Sequence, residues 1–492
     1  MPVTKLNRYP DYSAELEEIE RNGITTELVN RIVERHQLNA YHTKHLWGRY
    51  NTLDVDVPIY SRTPRFNAEN PINNKLANDF YGEIVDVEVG YFAGKPFSYN
   101  YSKTNESEED TGSEQAVEVA SKALSDFITL NNMYDHDMAM TKYATAAEYA
   151  GRLFYIDEEG KERVKILPPY ETIILYKNDM TEPSYAIRYY TYIDLTDTEI
   201  VKAEFYDDKY IIEYEGYIGG LRQVSEPRLH LFDYCPLQGI PKNNELLGSA
   251  EKVTSLIDAY DKILSDSTNE IESFANAYMI FENVNMTEDD MRQAQATGAI
   301  KFFNGTGSGK VYFLTKDVNE SFIENKLDRL ENNIYRFSKT PNLSNPNERY
   351  GDASGVSLKF RLIGLETKCS MFEAKVNSAA VYMFKLLASS WRKKRISFDP
   401  LQCYITCKRN FPADLAGEAQ TAAALLSAGL PKRIVWETLS CVDDIDFALE
   451  VLREEKDDIP DLDMSIPEDE ENNENNKNEK KEEENTKRME TL

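Results

Sequence analysis

Residues 243–272, "NNELLGSAEKVTSLIDAYDKILSDSTNEIE", place apolar side chains three and four positions apart in an otherwise polar run. This spacing lines one face of a helix and is typical of a helix that packs along one side. The pattern continues through Ile271, Phe274 and Tyr278, so the sequence predicts a helix over residues 248–281. The apolar positions of its first half are Val253, Leu256, Ile257, Tyr260, Ile263 and Leu264.

A second stretch, residues 320–340, repeats the pattern at intervals of four and three, which predicts a helix that packs against the first. Its apolar positions are Ile323, Leu327, Leu330, Ile334 and Phe337. Two helices that run out and back would carry the intervening segment between them. That segment includes a short helical stretch, "TEDDMRQAQAT", residues 287–297.

The same segment contains "FFNGTGSGKVYF", residues 302–313, whose glycines and lysine suggest a phosphate-binding loop. Such a loop requires a glycine five residues before the Gly-Lys pair and a Ser or Thr after the lysine. Asn304 and Val311 occupy those two positions. The flanking "AIKFF" and "VYFLT" favour strands. The sequence therefore predicts a β-hairpin with a glycine-rich tip.

The rest of the chain alternates between helical and strand-rich regions. Helical spacing dominates the first 80 residues and returns after a polar, acidic loop at 103–114. Aromatic and β-branched runs separated by turn residues predict antiparallel strands over 151–233. A connection rich in Asn, Pro and Gly at 341–354 leads to a long helical pattern at 355–395.

Composition limits the classes of function. The 492 residues are 41% hydrophobic and carry a formal net charge of −29, which disfavours nonspecific adhesion to nucleic acid or to an anionic membrane. Residues 454–492 contain 16 acidic and 6 basic side chains and are predicted to be disordered. Five scattered cysteines indicate a reducing compartment, and no apolar run reaches the ~20 residues of a membrane span.

Four stretches resemble one known family in their order along the chain. They are "NNKLANDFYGEIVDVEVGYFAGKPFSY" (73–99), the opening stretch at 243–272, "IYRFSKTPNLS" (334–344) and "ASGVSLKFRLIGLETKCS" (353–370). They are similar, in turn, to the N-terminal helix, the first stem helix, the end of the second stem helix and the long helix of the SPP1-type phage portal proteins. The resemblance covers nearly the whole chain.

This resemblance implies an α+β portal fold with a mixed α/β wing, a two-helix stem, a small α/β clip, a long kinked wing helix and a helical crown. Its parts would be the wing at 1–240 with its β-rich portion at 151–233, the first stem helix at 241–281, the clip at 282–318, the second stem helix at 319–340, the tunnel loop at 341–354, the long wing helix and following strand at 355–411, the crown at 412–453 and the acidic tail at 454–492.

The family's architecture also suggests which residues act. The tunnel loop would bring Asn347, Arg349 and Tyr350 to the narrowest part of a DNA channel, where Arg349 would touch phosphates or would be an exposed loop arginine without a role. The clip would present Phe303, Asn304, Lys310 and Tyr312 to neighbouring subunits and partner proteins.

The first stem helix would be about 50 Å long at 1.5 Å per residue, and it is rich in acids. Phosphate attraction in a conduit would hold the DNA back, whereas rings of carboxylates would let it slide. The candidates for lining the channel are Glu251, Asp258, Asp261 and Glu270. The alternative places them on solvated outer faces. "WRKKR" (391–395) would complement the dipole at the end of the long helix or would contact DNA.

No pattern supports catalysis, a cofactor or a metal. Cys403 and Cys407 lie in a strand-like run without the second pair or the histidine that zinc requires. The alternatives are a nucleotide-driven DNA-packaging enzyme, which would need an intact phosphate loop, and a capsid adaptor without a channel, which would lack the stem pair.

The expected protein is a non-enzymatic portal at one capsid vertex, the channel for DNA packaging and ejection. Its expected partners are eleven further copies in a ring of twelve, double-stranded DNA, the terminase motor, the head–tail adaptor, and the major capsid and scaffolding proteins. It would be assembled in the bacterial cytoplasm and would contact no membrane.

Overall fold

The protein is described here by a computed structural model that covers most of the chain. The described residues are 10–64, 72–101, 111–177, 182–275, 279–282, 287–289, 292, 310–313, 320–342, 355–411, 415–437, 439, 442, 448 and 451–452. They form two compact units, Met1–Pro412 and Ala413–Leu492.

In both units, more of the described residues lie in helices than in strands. They are α1 (Ser13–Asn22), α2 (Thr26–Tyr50), α3 (Phe80–Ala93), α4 (Thr111–Leu130), α5 (Met133–Ala147), α6 (Thr254–Ala275), α7 (Glu320–Ser338), α8 (Gly355–Lys393), α9 (Leu415–Ser427) and α10 (Lys432–Glu437). Of the helices just given, which all lie in the described residues, α9 and α10 belong to the second unit. Across the described part of the chain, no helix has both the length and the apolar character that crossing a bilayer requires.

The strands belong to the first unit. They are β1 (Ser98–Tyr101), β2 (Tyr149–Ile156), β3 (Glu162–Leu167), β4 (Thr172–Leu175), β5 (Tyr185–Ile193), β6 (Glu199–Tyr206), β7 (Tyr210–Gly216), β8 (Arg222–Gln223), β9 (Arg228–Leu229), β10 (Leu237–Pro241), β11 (Met279–Glu282), β12 (Lys310–Phe313) and β13 (Cys403–Thr406). With the helices, they confirm the α+β class that the sequence predicts.

The antiparallel region predicted at 151–233 is present and forms parts of two sheets. Six strands pair in the order β4-β5-β6-β7-β8, with β9 also on β7, and three strands pair in the order β10-β2-β3. One face of the larger sheet buries Ile187, Phe205 and Tyr214 against Val29 and Ile32 of α2. Burial of this kind stabilises by roughly 1.5–3 kcal/mol per large apolar side chain.

The long helix α8 is unbroken over its 39 residues and packs against the smaller sheet and the helices around it. Its buried face includes Phe372, Phe384, Leu387 and Trp391. Beside it, β13 pairs with β1 of the N-terminal region. The expected kink in this helix stays a prediction.

The two helices predicted as a stem pair, α6 and α7, pack together near their bases. Ile334 of α7 is fully buried with Val253 and Ile257. The sequence prediction of Phe337 as the next packing position is wrong, because that side chain is 54% exposed and the neighbouring Ser338 is buried instead.

Two predicted boundaries are also corrected. Helix α6 ends at Ala275 rather than at residue 281, because Met279–Glu282 pairs as a strand with Lys310–Phe313. This pairing places the strand after α6 beside the strand before α7. The other predicted arm of the glycine-rich hairpin, "AIKFF" (299–303), lies outside the described residues.

The stretch at 73–99, which resembles the family's N-terminal helix, becomes helical only at Phe80. There the Asp79 side chain caps the helix by accepting a hydrogen bond from the Gly82 amide at 3.0 Å. Residues 72–79, here called the strap, have no helical structure. Asparagine side chains compete with the helix for backbone hydrogen bonds, which explains the late start.

Candidate functional site

The acids of α6 define the candidate site, because they were predicted to line a channel. Asp258 forms a 2.6 Å ion pair with Arg49 of α2. The Arg49 side chain is only 3% exposed, whereas the Asp258 carboxylate is 35% exposed. Asp258 thus neutralises a buried cation of its own chain while it still reaches solvent.

Asp261 lies one turn further along and is buried. Its Oδ1 accepts hydrogen bonds from the Asn78 backbone amide at 2.9 Å and from Asn78 Nδ2 at 2.7 Å. Burial raises the pKa of this carboxyl, and the two Asn78 bonds oppose the rise. The prediction that Asp261 lines a channel is therefore corrected, because its carboxylate is used to hold the strap.

The rest of the strap follows α6 in the same way. The Leu76 amide donates to Ser265 Oγ at 3.0 Å, and the Asn74 amide donates to Asn269 Oδ1 at 2.7 Å. Asn74 Nδ2 also donates to Glu272 Oε2 at 2.7 Å. This face of the helix is thus a docking surface for a polar segment of the same chain.

Two further acids of α6 and the turn before it have partners within the chain. Asp266 is paired with Arg62. Glu251 lies in the short 3₁₀ turn that precedes α6, its side chain is only 6% exposed, and its Oε1 is 3.8 Å from His42 Nε2. The prediction that Glu251 faces a channel is likewise corrected. Asp258 and Glu270, which are partly exposed, remain predictions.

The exposed positions in the first half of α6 are Ser255 and Lys262, and Lys252 is exposed in the turn before it, so none of them is an acid. Charge counting along the helix missed this arrangement, because it takes no account of what the acids pair with. The asparagines of "NPINNKLAND" (70–79), a run without apolar periodicity, are the signal that could have revealed a polar segment seeking partners.

The end of α7 is joined to α8 by a buried group of ions. Lys368 Nζ of α8 donates to the Ser338 carbonyl at 2.9 Å and pairs with Glu88 Oε2 at 2.6 Å. Lys242 Nζ pairs with Glu88 Oε1, also at 2.6 Å. Burial alone would raise the pKa of Glu88, but the two ammonium groups lower it to about 2.

Only part of the remaining predicted site can be located. Asn347, Arg349 and Tyr350 of the tunnel loop, together with Phe303 and Asn304 of the clip, lie outside the described residues. Lys310 is exposed at the start of β12, and Tyr312 is in register with Ile280 of β11.

The basic run at the end of α8 pairs with carboxylates elsewhere in the first unit. Lys393 lies 2.8 Å from Asp233, which also pairs with Arg392, and Lys394 lies 2.6 Å from Glu162. Arg392 and Lys393 also lie in the last turn of α8, where positive charge complements the helix dipole, so this role and the contact with DNA both stay predictions.

Comparisons with known proteins identify the family of this chain. A family model described as "Phage portal protein, SPP1 Gp6-like" matches residues 33–461. The portal protein of Bacillus phage SPP1 is 24% identical over 394 residues, covering 75% of this chain and 73% of the relative. The portal protein of Clostridium phage phiCD119 is 22% identical over 411 residues, covering 79% of this chain and 87% of the relative. Because the family match spans most of its length, this chain belongs to the SPP1 Gp6-like family of phage portal proteins.

Proposed function

We propose that twelve copies of this portal protein form a ring at one capsid vertex, through which double-stranded DNA is packaged and ejected. The observation that carries the proposal is the packed pair α6–α7, whose adjoining strands β11 and β12 are bonded to each other. In this assignment α6 and α7 are the stem, the segment between them is the clip, and the first 240 residues are the main part of the wing.

The channel lining follows from the partners of the α6 acids. Asp258 and Glu270 are the remaining acidic candidates, and two exposed lysines lie beside them, Lys262 on the same helix and Lys252 in the turn before it. A lining of mixed charge would bind phosphates only weakly, as a conduit requires, because each ammonium would have a carboxylate nearby. Arg349, Asn347 and Tyr350 would act at the narrowest point.

The clip would bind the terminase motor and the head–tail adaptor, with Phe303, Asn304, Lys310 and Tyr312 at the contact. The crown at 412–453 and the wing would face the major capsid and scaffolding proteins. Assembly would take place in the cytoplasm of the bacterial host. The family is structural, and no enzymatic step is part of the proposal.

Native mass spectrometry of the purified full-length chain, with electron micrographs of the same sample, tests the assembly. Rings of about twelve subunits with a central hole are expected, either alone or after scaffolding protein is added. A chain that stays monomeric or dimeric in both conditions and hydrolyses ATP would overturn the proposal.

Arg349→Ala tests the tunnel loop within assembled particles. Rings should form normally, while the length or yield of packaged DNA should change. Arg336→Ala, which removes an exposed arginine from the last turn of α7, is the matched control and should package like the wild type. Unchanged packaging by Arg349→Ala would exclude the role of Arg349 and leave the portal assignment intact.

A further inference from the structure

Three side chains from distant parts of the sequence meet where the first stem helix begins. His42 comes from α2, Glu148 from the junction between α5 and β2, and Glu251 from the turn before α6. One ligand atom from each lies within 4.8 Å of the other two. In the described part of the chain, no other group of His, Cys, Asp and Glu side chains meets this criterion.

The contact between His42 and Glu148 has an unusual geometry. His42 Nε2 is 3.0 Å from Glu148 Oε1, yet this nitrogen is buried and makes no aligned hydrogen bond. An N–H that donated to the carboxylate would have to point at the oxygen. The two atoms are instead close without being aligned on each other, as ligands directed at a common third atom are.

The donor set selects a class of ion. Imidazole nitrogen with carboxylate oxygen suits zinc and neighbouring first-row divalent ions, whereas magnesium and calcium take oxygen ligands. Ligand atoms bonded to one zinc ion at 2.0–2.2 Å lie roughly 3–4 Å apart. The distances of 3.0 and 3.8 Å from His42 Nε2 to the two carboxylates fall in that range.

We propose that His42, Glu148 and Glu251 bind a divalent transition-metal ion, with zinc the best fit, at the base of the stem. The Glu148 side chain is fully buried, whereas the His42 side chain is 26% exposed, so the ion can enter from that side and complete its coordination with water. The ion offsets the charge of two carboxylates that lie close together in a poorly solvated place.

The site has a mechanical role, because its ligands belong to three separate elements. Glu148 is further fixed by its own backbone, since its carbonyl accepts a hydrogen bond from the Lys242 amide at 2.8 Å. A bound ion therefore links α2 and the β2 junction to the turn from which α6 starts. It holds the stem at a set angle to the N-terminal helices.

The test uses untagged, full-length protein that has been stripped with a chelator and dialysed. Zinc binding is measured by isothermal titration calorimetry, and the metal retained after gel filtration is measured by mass spectrometry. Wild type should retain about one zinc per subunit, and His42→Gln should bind at least about tenfold more weakly. His45→Gln, one turn further along α2 in a pair with Asp56, should bind like the wild type.

A cobalt titration provides a second measurement that the acidic tail cannot mimic. Visible absorption bands that are present in the wild type and lost in both His42→Gln and Glu251→Gln support the site. Retention of zinc by His42→Gln at the wild-type level, or no binding by the wild type, overturns it. Circular dichroism of each variant checks that a loss of binding does not reflect unfolding.

Discussion

Glu88 and Asp137 are both fully buried carboxylates of the first unit, yet their pKa values are displaced in opposite directions. Glu88 receives two ammonium groups, from Lys242 and Lys368, which outweigh burial and lower its pKa to about 2. Asp137 receives one guanidinium, from Arg152, and a hydrogen bond from Tyr99, so burial prevails and raises its pKa to about 6. In these two acids, the number of cations beside the carboxylate decides the direction in which its pKa moves.

The largest loss in free energy of unfolding is expected from Glu88→Gln. The change leaves the buried ammonium groups of Lys242 and Lys368 without their counterion, and breaking a buried ion pair in this way costs about 3–5 kcal/mol. Urea unfolding at pH 7 measures the loss. Glu182→Gln, which removes an exposed partner of Lys385, is the control and should cost about 0–1 kcal/mol. Equal costs for the two variants would contradict the assigned role of Glu88.

Asp137→Asn should cost less, about 1–3 kcal/mol, because the amide oxygen can still accept a hydrogen bond from Arg152. In the wild type Arg152 donates to Asp137 Oδ1 at 2.9 Å. The same urea experiment compares this variant with Glu159→Gln, a change in an exposed pair. If Asp137→Asn were as costly as Glu88→Gln, the distinction between the two acids would fail.

The pH dependence of stability should separate the two acids. The folded protein keeps the Asp137 proton up to about pH 6, whereas the unfolded chain releases it near the ordinary value of 3.8. The stability of the wild type relative to Asp137→Asn should therefore fall as pH rises from about 4 to 6 and level off above that.

The contribution of Glu88 to stability has the opposite pH dependence, because the pKa of Glu88 is lowered. Its contribution to stability should be complete above about pH 4.5 and should disappear as pH falls towards 2. Urea unfolding from pH 4.5 to 7 gives the difference in free energy of unfolding between the wild type and each variant. This difference should be constant for Glu88→Gln and should change with pH for Asp137→Asn. A difference for Asp137→Asn that stays constant, or widens with rising pH, over this range would contradict a raised Asp137 pKa.

The smallest loss in free energy of unfolding, about 1 kcal/mol, is expected from Tyr99→Phe. The change removes the hydroxyl that donates to Asp137 Oδ2 at 2.6 Å. Tyr101→Phe, two residues further along β1, removes a hydroxyl that accepts a 3.3 Å bond from the Asp399 amide and should cost less than about 0.5 kcal/mol. Thermal unfolding of the two variants gives the comparison, and a larger loss in Tyr101→Phe would count against it.

Much of the fold could be predicted from local sequence. Apolar spacing identified α6, α7 and α8 and the strand-rich region, because a helix or strand that packs on one side records its period in the sequence. The prediction was wrong where two local preferences compete. Met279–Glu282 follows a stretch with helical spacing but contains Ile280 and Phe281, which also favour strands, and its pairing with β12 decides the outcome.

The candidate site was harder to predict, because the exposure of a carboxylate depends on groups far away in the sequence. Asp261 and Glu270 are both acids of α6 in similar local sequence, yet of the two only Asp261 is buried. The residue that bonds to its carboxylate, Asn78, lies 183 residues earlier in the sequence. Arg49 and Asp258, which also pair, are likewise far apart in the sequence, at a separation of 209 residues. No local pattern records such pairs.

The contacts between the strap and α6 also constrain the order of events during synthesis. They join residues 183 to 198 positions apart, and ribosomes add about 5–20 residues per second. About 10–40 s therefore pass between the translation of the strap and the translation of α6, the helix that it contacts. During this interval the amide groups of the strap can be satisfied only by water or by transient contacts. The contacts that join α6 to the N-terminal region through the strap are consequently made late in synthesis.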